Sequence, residues 1–517
     1  MRKITIDPVT RIEGHLKVEV TVDEGVVREA HCSGTLFRGL ELILLGRHPF
    51  DAQRITQRIC GVCPTSHSTA SSLALDAACG VDRNIPENGR LLRNLILGAN
   101  FLQSHILHFY HLAALDYVDV TAVADYDGDD PEMLSIKEFI ARGQLGPFVP
   151  RYEGDYRLSK TDNQRLAGHY VTALAMRRRT HEVGAIFGGK MPHNMGVVPG
   201  GSTGEPTTSK IADFLWRLNT VRDFINSCYI PDVLAVASAY VDDLDQGKGC
   251  GNFLSYGAMD LDGKGGPCCE RKRLIGSGIL LDGKLQAVNV SGITESVAHS
   301  RYVDGTGGHP SESSTKPEPG KKTGYSWLKS PRYEGKVVEV GPLARFLVGY
   351  LAGDEKIKGL VDSALAQAGA KPEHLQSTLG RHLARALETK LVADAMAEMV
   401  LGLKPGEPHC AQATVQPEAE GIGMTAAPRG ALAHWLKVVD GKIAHYQCVV
   451  PTTWNASPRD DDDQPGPIEQ ALTGARVRDA ENPAEVVRIV RGFDPCLACA
   501  VHCIDARGRE LGRYRVC

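Results

Sequence analysis

Two Cys-x-x-Cys pairs, one near each end of the chain, carry the clearest chemistry in this sequence. The four residues are Cys60, Cys63, Cys496 and Cys499, and a histidine follows each pair at a short offset. Two intervening residues let both sulfurs of a pair point at one centre, so two pairs can supply a site of four thiolates. This combination indicates a large, metal-dependent redox protein.

Three other interpretations of the cysteines compete with that one. A structural zinc site is the commonest use of two such pairs, but its pairs usually lie within tens of residues of each other. A thioredoxin-like redox pair suits Cys60-Gly-Val-Cys63-Pro, yet it needs a βαβ context and leaves the second pair unexplained. The pairs could also be unrelated. Spacing alone favours metal binding and leaves the metal undecided.

Composition limits the class of protein. The chain has 517 residues, of which 42% are hydrophobic and 23% charged, as in an ordinary globular protein. Its net charge of -4 gives no reason to expect a nucleic-acid partner. We find no apolar run of about 18 residues, the length that a membrane helix needs. The first residues lack the apolar segment of a signal peptide, so export would depend on another chain.

The hydrophobic pattern predicts a mostly helical protein with small β elements, in one integrated unit and without repeats. Alternation after Leu16 and after Trp435 predicts two hairpins, the second turning at Asp440-Gly441. Apolar residues with the helical period predict helices over 88–115, 164–187, 208–228, 355–369 and 373–402. The polar stretch 304–322 predicts an exposed loop. The two cysteine pairs must therefore meet through the fold.

The two cysteine motifs resemble the defining motifs of the nickel–iron hydrogenase large subunit. The first reads Arg-x-Cys-Gly-x-Cys-x-x-x-His and the second reads Asp-Pro-Cys-x-x-Cys-x-x-His. Further blocks that match the family in order are 7–15, 36–41, 108–112, 252–257, 329–333, 339–345, 427–430 and 449–454. The resemblance covers nearly the whole chain and implies that family's fold, with long central helices and small peripheral sheets.

The resemblance implies a Ni-Fe(CN)2(CO) centre held by the four cysteines. All four would bind nickel, and Cys63 and Cys499 would also bridge to an iron that carries carbon monoxide and cyanide, ligands that keep iron low-spin. Dihydrogen would split heterolytically at the metals. Cys496 would accept the first proton and Glu13 would relay it outward.

Other residues surround the metals in the family's pattern. Arg429, preceded by Pro428, would hold its guanidinium over the metals, hydrogen-bond one cyanide and polarise the substrate. Thr452 would donate to the other cyanide. Asp494 would orient Arg429 and the nearby thiolate, and His67 would hydrogen-bond a bridging sulfur.

A second cation site and a gas channel are also implied. Glu41, His502 and a backbone carbonyl, taken as that of Cys448, match a site that holds magnesium in many relatives and iron in some. Val62 and Leu112 resemble residues that narrow the gas channel.

The sequence departs from the family's pattern at two positions near Arg429. Many relatives have aspartate where this chain has Ser104, and glutamate where it has Ala426. Loss of a carboxylate should change the hydrogen bonding of Arg429. These departures should affect the rate of the reaction, its preferred direction and its tolerance of oxygen, and they leave the expected metal ligands unchanged.

The implied activity is the reversible cleavage of H2, with uptake as the expected direction. No further cysteine pattern for cubane clusters is present, so an iron–sulfur small subunit must carry the electrons away, and a membrane cytochrome could follow it. The alternatives are a hydrogen-sensing subunit and the related quinone-linked respiratory subunit, which lacks the cysteines. Family sensors usually end at or near the last histidine, whereas this chain continues.

The resemblance also implies where the enzyme acts and how it matures. Hydrogenases that resemble this one mostly act on the periplasmic side, co-exported by a twin-arginine signal on the small subunit; a cytoplasmic enzyme is the alternative. The resemblance also implies nickel chaperones and an endopeptidase that cuts between His502 and Cys503 once nickel is in place. Residues 1–502 would then form the mature domain, and 503–517 a maturation peptide.

Overall fold

The computed structural model describes residues 1–143, 146, 148–149 and 151–500. His502 and the expected maturation peptide 503–517 lie outside the described residues. Within this part of the chain, no helix is long and apolar enough to cross a membrane.

Helices build most of the described structure. The α-helices are α1 (Leu40–Leu44), α2 (Asp51–Thr56), α3 (Pro64–Ala78), α4 (Glu87–Leu107), α5 (Pro131–Ala141), α6 (Lys160–Gly188), α7 (Thr208–Phe224), α8 (Ile230–Ala239), α9 (Pro342–Leu351), α10 (Glu355–Ala368), α11 (Thr378–Leu401), α12 (Pro451–Asn455), α13 (Pro467–Leu472), α14 (Ala484–Gly492) and α15 (Leu497–Ala500). Two π-helical segments, His108–Ala113 and Ile225–Tyr229, directly follow α4 and α7. The longest helices, α4, α6 and α11, contribute to the largest hydrophobic core.

The strands form small, separate sheets. They are β1 (Arg2–Ile6), β2 (Leu16–Asp23), β3 (Val26–Gly34), β4 (Val197–Val198), β5 (Gly201–Ser202), β6 (Phe253–Ser255), β7 (Ala258–Asp260), β8 (Arg273–Ile275), β9 (Gly278–Leu281), β10 (Lys284–Gln286), β11 (Ile293–Ser296), β12 (Ser330–Tyr333), β13 (Glu339–Val340), β14 (Ala419–Ala427), β15 (Gly430–Val439) and β16 (Lys442–Val449). The two sheets that matter for the site are β1-β2-β3 and β14-β15-β16, both antiparallel throughout.

The expected fold class, mostly helical with small sheets, is confirmed. Both predicted hairpins form, and each gains a third strand, β1 or β14, that the sequence analysis did not predict. The second hairpin turns where expected, with Asp440 at φ 52° and Gly441 at φ 71°. Positive φ at both central residues matches the twist of the flanking strands.

Three predicted helices are interrupted. The one expected over 208–228 is α-helical only to Phe224 and continues as the π-helical segment Ile225–Tyr229. The one expected over 88–115 is α-helical only to Leu107 and continues as the π-helical segment. The one expected over 373–402 is a 3-10 turn at Pro372–Leu375 followed by α11, because the Ser377 side chain caps the new helix at the Gly380 N–H. Periodicity alone does not report such breaks.

A second hydrophobic core holds the cysteines. It joins the β1-β2-β3 sheet, α3, the β14-β15-β16 sheet and the last helices. All four cysteines of the two pairs are buried members of it. This core brings the two ends of the chain together.

Candidate metal centre

The segment before α15 is held by backbone pairing to a loop near the N-terminus. Glu13 and Cys496 form a parallel bridge, in which Leu497 N donates to Glu13 O at 2.7 Å and Glu13 N donates to Pro495 O at 3.4 Å. Gly14 allows this approach: its φ is 81°, and a Cβ there would lie 2.7 Å from Leu497 Cβ. The second cysteine pair is thus fixed beside the N-terminal block.

The first cysteine pair sits at the start of α3. Cys60 is extended after a 3-10 turn, Gln57–Ile59, and Cys63 is the residue that precedes Pro64, the first residue of the helix. Proline at that position needs no backbone donor, so the helix can begin directly after the ligand.

The four sulfurs form one compact cluster. Their Sγ atoms all lie within 4.8 Å of one another and all four residues are buried. The Sγ–Sγ distances are 3.3 Å for Cys60–Cys496, 3.0 Å for Cys63–Cys499 and 3.0 Å for Cys496–Cys499. These distances exceed a disulfide bond, which is about 2.05 Å. Among the described residues this is the only such cluster of potential metal ligands.

The four thiols do not ionise alike, since hydrogen bonds with Cys496, Cys499 and Cys63 hold the pKa of Cys60 well below its usual value. Burial raises the pKa of the Cys496 and Cys499 thiols well above the usual value, because a buried thiolate loses its hydration. A bound cation reverses that penalty, since coordination deprotonates a thiol. The donor set therefore fits a thiophilic metal centre.

Glu13 contacts the cluster directly. Cys496 Sγ lies 3.1 Å from Glu13 Oε2, and the same oxygen accepts from Ala498 N at 2.9 Å. Burial, followed by the nearby Cys60, raises the pKa of the Glu13 carboxyl. A raised pKa makes this carboxylate a stronger base toward the neighbouring Cys496 sulfur.

Arg429 lies near enough to the cluster to interact electrostatically with Cys496, Cys63 and Cys60. Its Nη2 forms an ion pair with Asp494 Oδ1 at 3.0 Å, without the geometry of a hydrogen bond, and its Nη1 donates to Ser104 Oγ at 3.3 Å. Nε and Nη2 have no hydrogen-bond partner among the described residues, although Arg429 is only 2% exposed. Buried N–H groups are rarely left unpaired, so this site fits a group that brings acceptor atoms.

Ser104 is an uncharged acceptor for Arg429. Its hydroxyl oxygen accepts from the charged guanidinium, and Asp494 is the one carboxylate in a salt bridge with that guanidinium among the described residues. The other departure, Ala426, is a buried residue of β14 opposite Ala431.

Thr452 and Pro428 lie close to the ligands and the guanidinium. Thr452 Oγ1 accepts from Cys496 N at 2.9 Å, so its hydroxyl proton is directed elsewhere. Pro428 occupies the buried turn before Arg429, and its carbonyl accepts from Arg345 Nη2 at 3.0 Å.

His67 belongs to a network of hydrogen-bonded, buried polar side chains. Its Nδ1 lies 3.2 Å from His434 Nε2, and His434 Nδ1 lies 2.9 Å from Tyr446 Oη, which donates to Ser71 Oγ at 3.0 Å. This chain fixes the ring one turn along α3 from Cys63. The expected bond from His67 to a bridging sulfur stays a prediction.

Glu41 belongs to a buried polar cluster that the sequence analysis recognised only in part. Its Oε1 accepts from Cys448 N at 3.0 Å, and Thr315 Oγ1 donates to its other oxygen. Beyond these lie Gln447, Glu295 and Lys329: Gln447 Nε2 and Lys329 Nζ reach Glu295 Oε2 at 2.8 and 3.3 Å. Lys329 lies in a block that matches the family and Gln447 adjoins Cys448, but nothing in the sequence marks Glu295.

Val62 and Leu112, expected at the gas channel, are both half-buried. The Val62 carbonyl accepts from Asn100 Nδ2 at 2.8 Å and Gln103 Nε2 at 2.6 Å, which ties the first cysteine pair to α4. The Leu112 carbonyl accepts from Arg11 Nη1 at 3.0 Å. Their part in gas access stays a prediction.

Comparison with known proteins agrees with this site. Residues 38–502 match the family model described as nickel-dependent hydrogenase. The large subunit of the periplasmic [NiFeSe] hydrogenase of Desulfomicrobium baculatum is 43% identical, with 98% of this chain and 96% of that protein covered. The hydrogenase-2 large chain of Escherichia coli is 37% identical, with full coverage of both.

Solved structures show the same fold. The Ni-Fe-Se hydrogenase of D. vulgaris Hildenborough matches with a TM-score of 0.85 and 45% identity, over 97% of this chain and 100% of that one. Some of these relatives are named for selenium, whereas this chain has cysteine at all four positions of the cluster. This chain belongs to the nickel-dependent hydrogenase family, as the catalytic large subunit of a nickel–iron enzyme that oxidises H2.

Proposed function

We propose that Cys60, Cys63, Cys496 and Cys499 hold a Ni-Fe(CN)2(CO) centre, and that the enzyme works mainly in hydrogen uptake. The observation that carries this proposal is the cluster of four buried sulfurs, near a buried guanidinium whose Nε and Nη2 have no hydrogen-bond partner among the described residues. When bound, the centre supplies the Lewis-acid and redox chemistry that acidifies dihydrogen and takes up its two electrons. Metal analysis of purified protein, with infrared bands for carbon monoxide and cyanide, tests it; zinc without those bands would refute it.

Cys496 and Glu13 move the proton. The Cys496 sulfur takes the first proton from dihydrogen, and the Glu13 carboxyl, 3.1 Å away, accepts it next. Ala498 N–H holds the receiving oxygen in place. Because Glu13 is half-buried, it joins the cluster to the exterior. Each H2 then yields two protons and two electrons.

Arg429 supplies fixed positive charge above the cluster. Asp494 orients its guanidinium through the ion pair with Nη2, and the N–H groups of Nε and Nη2 that have no hydrogen-bond partner are available for a cyanide nitrogen and for the substrate. Thr452 accepts from Cys496 N and has its own proton to give to the second cyanide. Pro428 shapes the turn that carries Arg429, and His67 supports a bridging sulfur.

Glu41 marks the second cation site. Its carboxylate, the Cys448 carbonyl and His502 would hold Mg2+ or Fe2+, with water completing the shell. The buried Glu295 carboxylate lies nearby and pairs with Lys329 at 3.3 Å. Burial raises the pKa of Glu295, Lys329 lowers it, and Glu41 raises it by a smaller effect. One lysine beside two buried carboxylates leaves negative charge that a further cation would balance.

An iron–sulfur small subunit receives the electrons. Within the described residues no second cluster of metal ligands exists to carry them away. The segment beside the cysteine site exposes apolar side chains: Leu36, Leu42, Ile43 and Leu45, each 39–45% exposed. Arg38 in this segment donates to the carbonyls of Ile59 and Ala498, so the apolar surface borders both cysteine pairs. A patch of this kind suits a protein partner.

The enzyme acts on the periplasmic side, carried out with its small subunit. The name of the D. baculatum relative supports this location. We expect hydrogen oxidation in the periplasmic fraction of cells, and a twin-arginine signal on the small subunit. Activity confined to the cytosol would contradict the proposal and favour the cytoplasmic alternative. The relatives' names give no support to a hydrogen-sensing role.

The bond between His502 and Cys503 is cut during maturation, after nickel chaperones load the site. The family match ends at residue 502, and the solved D. vulgaris chain is covered completely by 97% of this one. His502, the last residue before the expected cut, is also an expected ligand of the second cation. We expect an intact mass that corresponds to residues 1–502 for the active enzyme. Active enzyme that retains Cys517 would refute the cut.

A further inference from the structure

Arg429 lies in an unusually buried hairpin turn. β14 ends at Ala427 and β15 begins at Gly430, which pair with each other, so Pro428 and Arg429 are the two turn residues. Turns normally lie at the surface, where water satisfies their carbonyls. Here all four residues are buried, so the turn's carbonyls need protein donors.

Arg345 supplies those donors. It lies in the first turns of α9, and its Nη1 donates to Ala427 O and its Nη2 to Pro428 O, both at 3.0 Å. The guanidinium is 1% exposed and contacts the two carbonyls that immediately precede Arg429. A planar fork of this kind fixes direction as well as distance.

Glu388 holds Arg345 in place from α11. Its oxygens accept from Arg345 Nε at 2.5 Å and from Nη2 at 2.6 Å, a bidentate pair that is fully buried. His105 Nε2, on α4, lies 2.8 Å from the same carboxylate. Arg345 and His105 lower the pKa of Glu388 to about 2 against the effect of burial, so the carboxylate stays charged.

Helix α4, which carries His105, also contacts the guanidinium of Arg429. Ser104, the residue before His105, accepts from Arg429 Nη1 at 3.3 Å. Helix α4 therefore reaches Arg429 by two routes. Ser104 contacts the guanidinium directly. His105 contacts Glu388, which binds Arg345, and Arg345 binds the backbone carbonyls before Arg429. Among the described residues, neither Arg345 nor Glu388 forms a hydrogen bond with the four cysteines, so any effect on the metal centre passes through the turn.

We propose that Arg345, fixed by Glu388, is a positioning residue that sets where the Arg429 guanidinium lies above the cysteine cluster. The proposal rests on the function assigned to Arg429 above. A lysine at position 345 keeps the charge but has a single nitrogen in place of the planar fork, so it cannot hold Glu388 and both carbonyls in the same directions. The turn would then relax, and Arg429 would move relative to Ser104 and Asp494.

Arg93 provides a matched control. It is also a buried arginine in a bidentate pair, with Asp76 at 2.6 and 3.2 Å, and it also donates to two backbone carbonyls, those of Gly201 and Val198. It contacts none of the residues assigned to the metal centre. Arg93→Lys therefore measures how much stability is lost when any buried, bidentate arginine of this kind is replaced by lysine.

The experiment compares Arg345→Lys, Arg93→Lys and Arg429→Lys in the complete enzyme with its small subunit. We expect similar falls in the thermal midpoint for the first two variants. Only Arg345→Lys, of these two, should shift the infrared bands of the diatomic ligands and lower kcat, by about 10–100-fold, the scale of a misplacement near 1 Å. Its nickel content should stay that of the parent.

Each other result has a definite meaning. Bands and kcat of Arg345→Lys equal to those of Arg93→Lys would overturn the positioning role. Unchanged bands and kcat in Arg429→Lys would instead overturn the function assigned to Arg429. If Arg345→Lys does not fold, Glu388→Gln removes the charge at constant volume and must show the same band shift. Failure of both to fold would make the pair structural and the proposal wrong.

Discussion

Replacing any one of the four cluster cysteines by alanine is expected to abolish hydrogen oxidation. The residues are Cys60, Cys63, Cys496 and Cys499, and their sulfurs share one buried site. Removal of one thiolate leaves a four-ligand centre incomplete, and the cavity offers no other sulfur among the described residues. Activity should fall below detection, and nickel measured in the purified protein should fall with it.

A buried cysteine outside the cluster gives the control. Cys32 is 0% exposed and lies in β3, in the same hydrophobic core as the four ligands. Cys32→Ala should keep both nickel and activity, at a modest cost in stability for the lost sulfur. Full activity with any of the four replaced would refute that residue as a ligand. Loss of activity in Cys32→Ala with nickel retained would show that the assay reports general damage.

The exchange of hydrogen isotopes with solvent should collapse in Glu13→Gln. Glutamine keeps the size and the contact with Ala498 N, but it cannot take up and release the proton from Cys496. General acid–base groups contribute about 10²–10⁴-fold, so we expect a loss of at least about 100-fold in exchange between H2 and D2O. The infrared bands should change little, because no cluster ligand is altered.

Glu19→Gln serves as the matched control for Glu13. Glu19 is a partly exposed carboxylate of β2 that pairs with Lys3 and Lys17, away from the cluster. The lysines lower the pKa of Glu19, mainly through the hydrogen bond from Lys17, so its substitution removes a charge without touching a proton carrier. Exchange in this variant should equal that of the parent. Retained exchange in Glu13→Gln would mean that the proton leaves by another route.

The sequence alone was enough to recognise the family, to propose the four cysteines as ligands and to predict the longer helices and two hairpins. Cysteine spacing is local chemistry, since two intervening residues suffice to aim two sulfurs at one point. Hydrophobic periodicity is equally local, which is why α6 and α10 match their predicted ranges closely. Glu13 was recognised because it lies in a continuous block that resembles the family. Short-range patterns carry this information because each is set by neighbouring residues alone.

Only the tertiary structure decided how those parts meet. The parallel bridge between Glu13 and Cys496 joins residues that lie 483 apart, and hydrophobic alternation contains no signal for such a pairing. The pairing of His67 with His434 was likewise absent from the sequence analysis. In the sequence, Glu295 and Arg345 look like ordinary charged residues of the surface, but the fold buries both away from water. A buried charge must find a partner, and the fold alone selects which one.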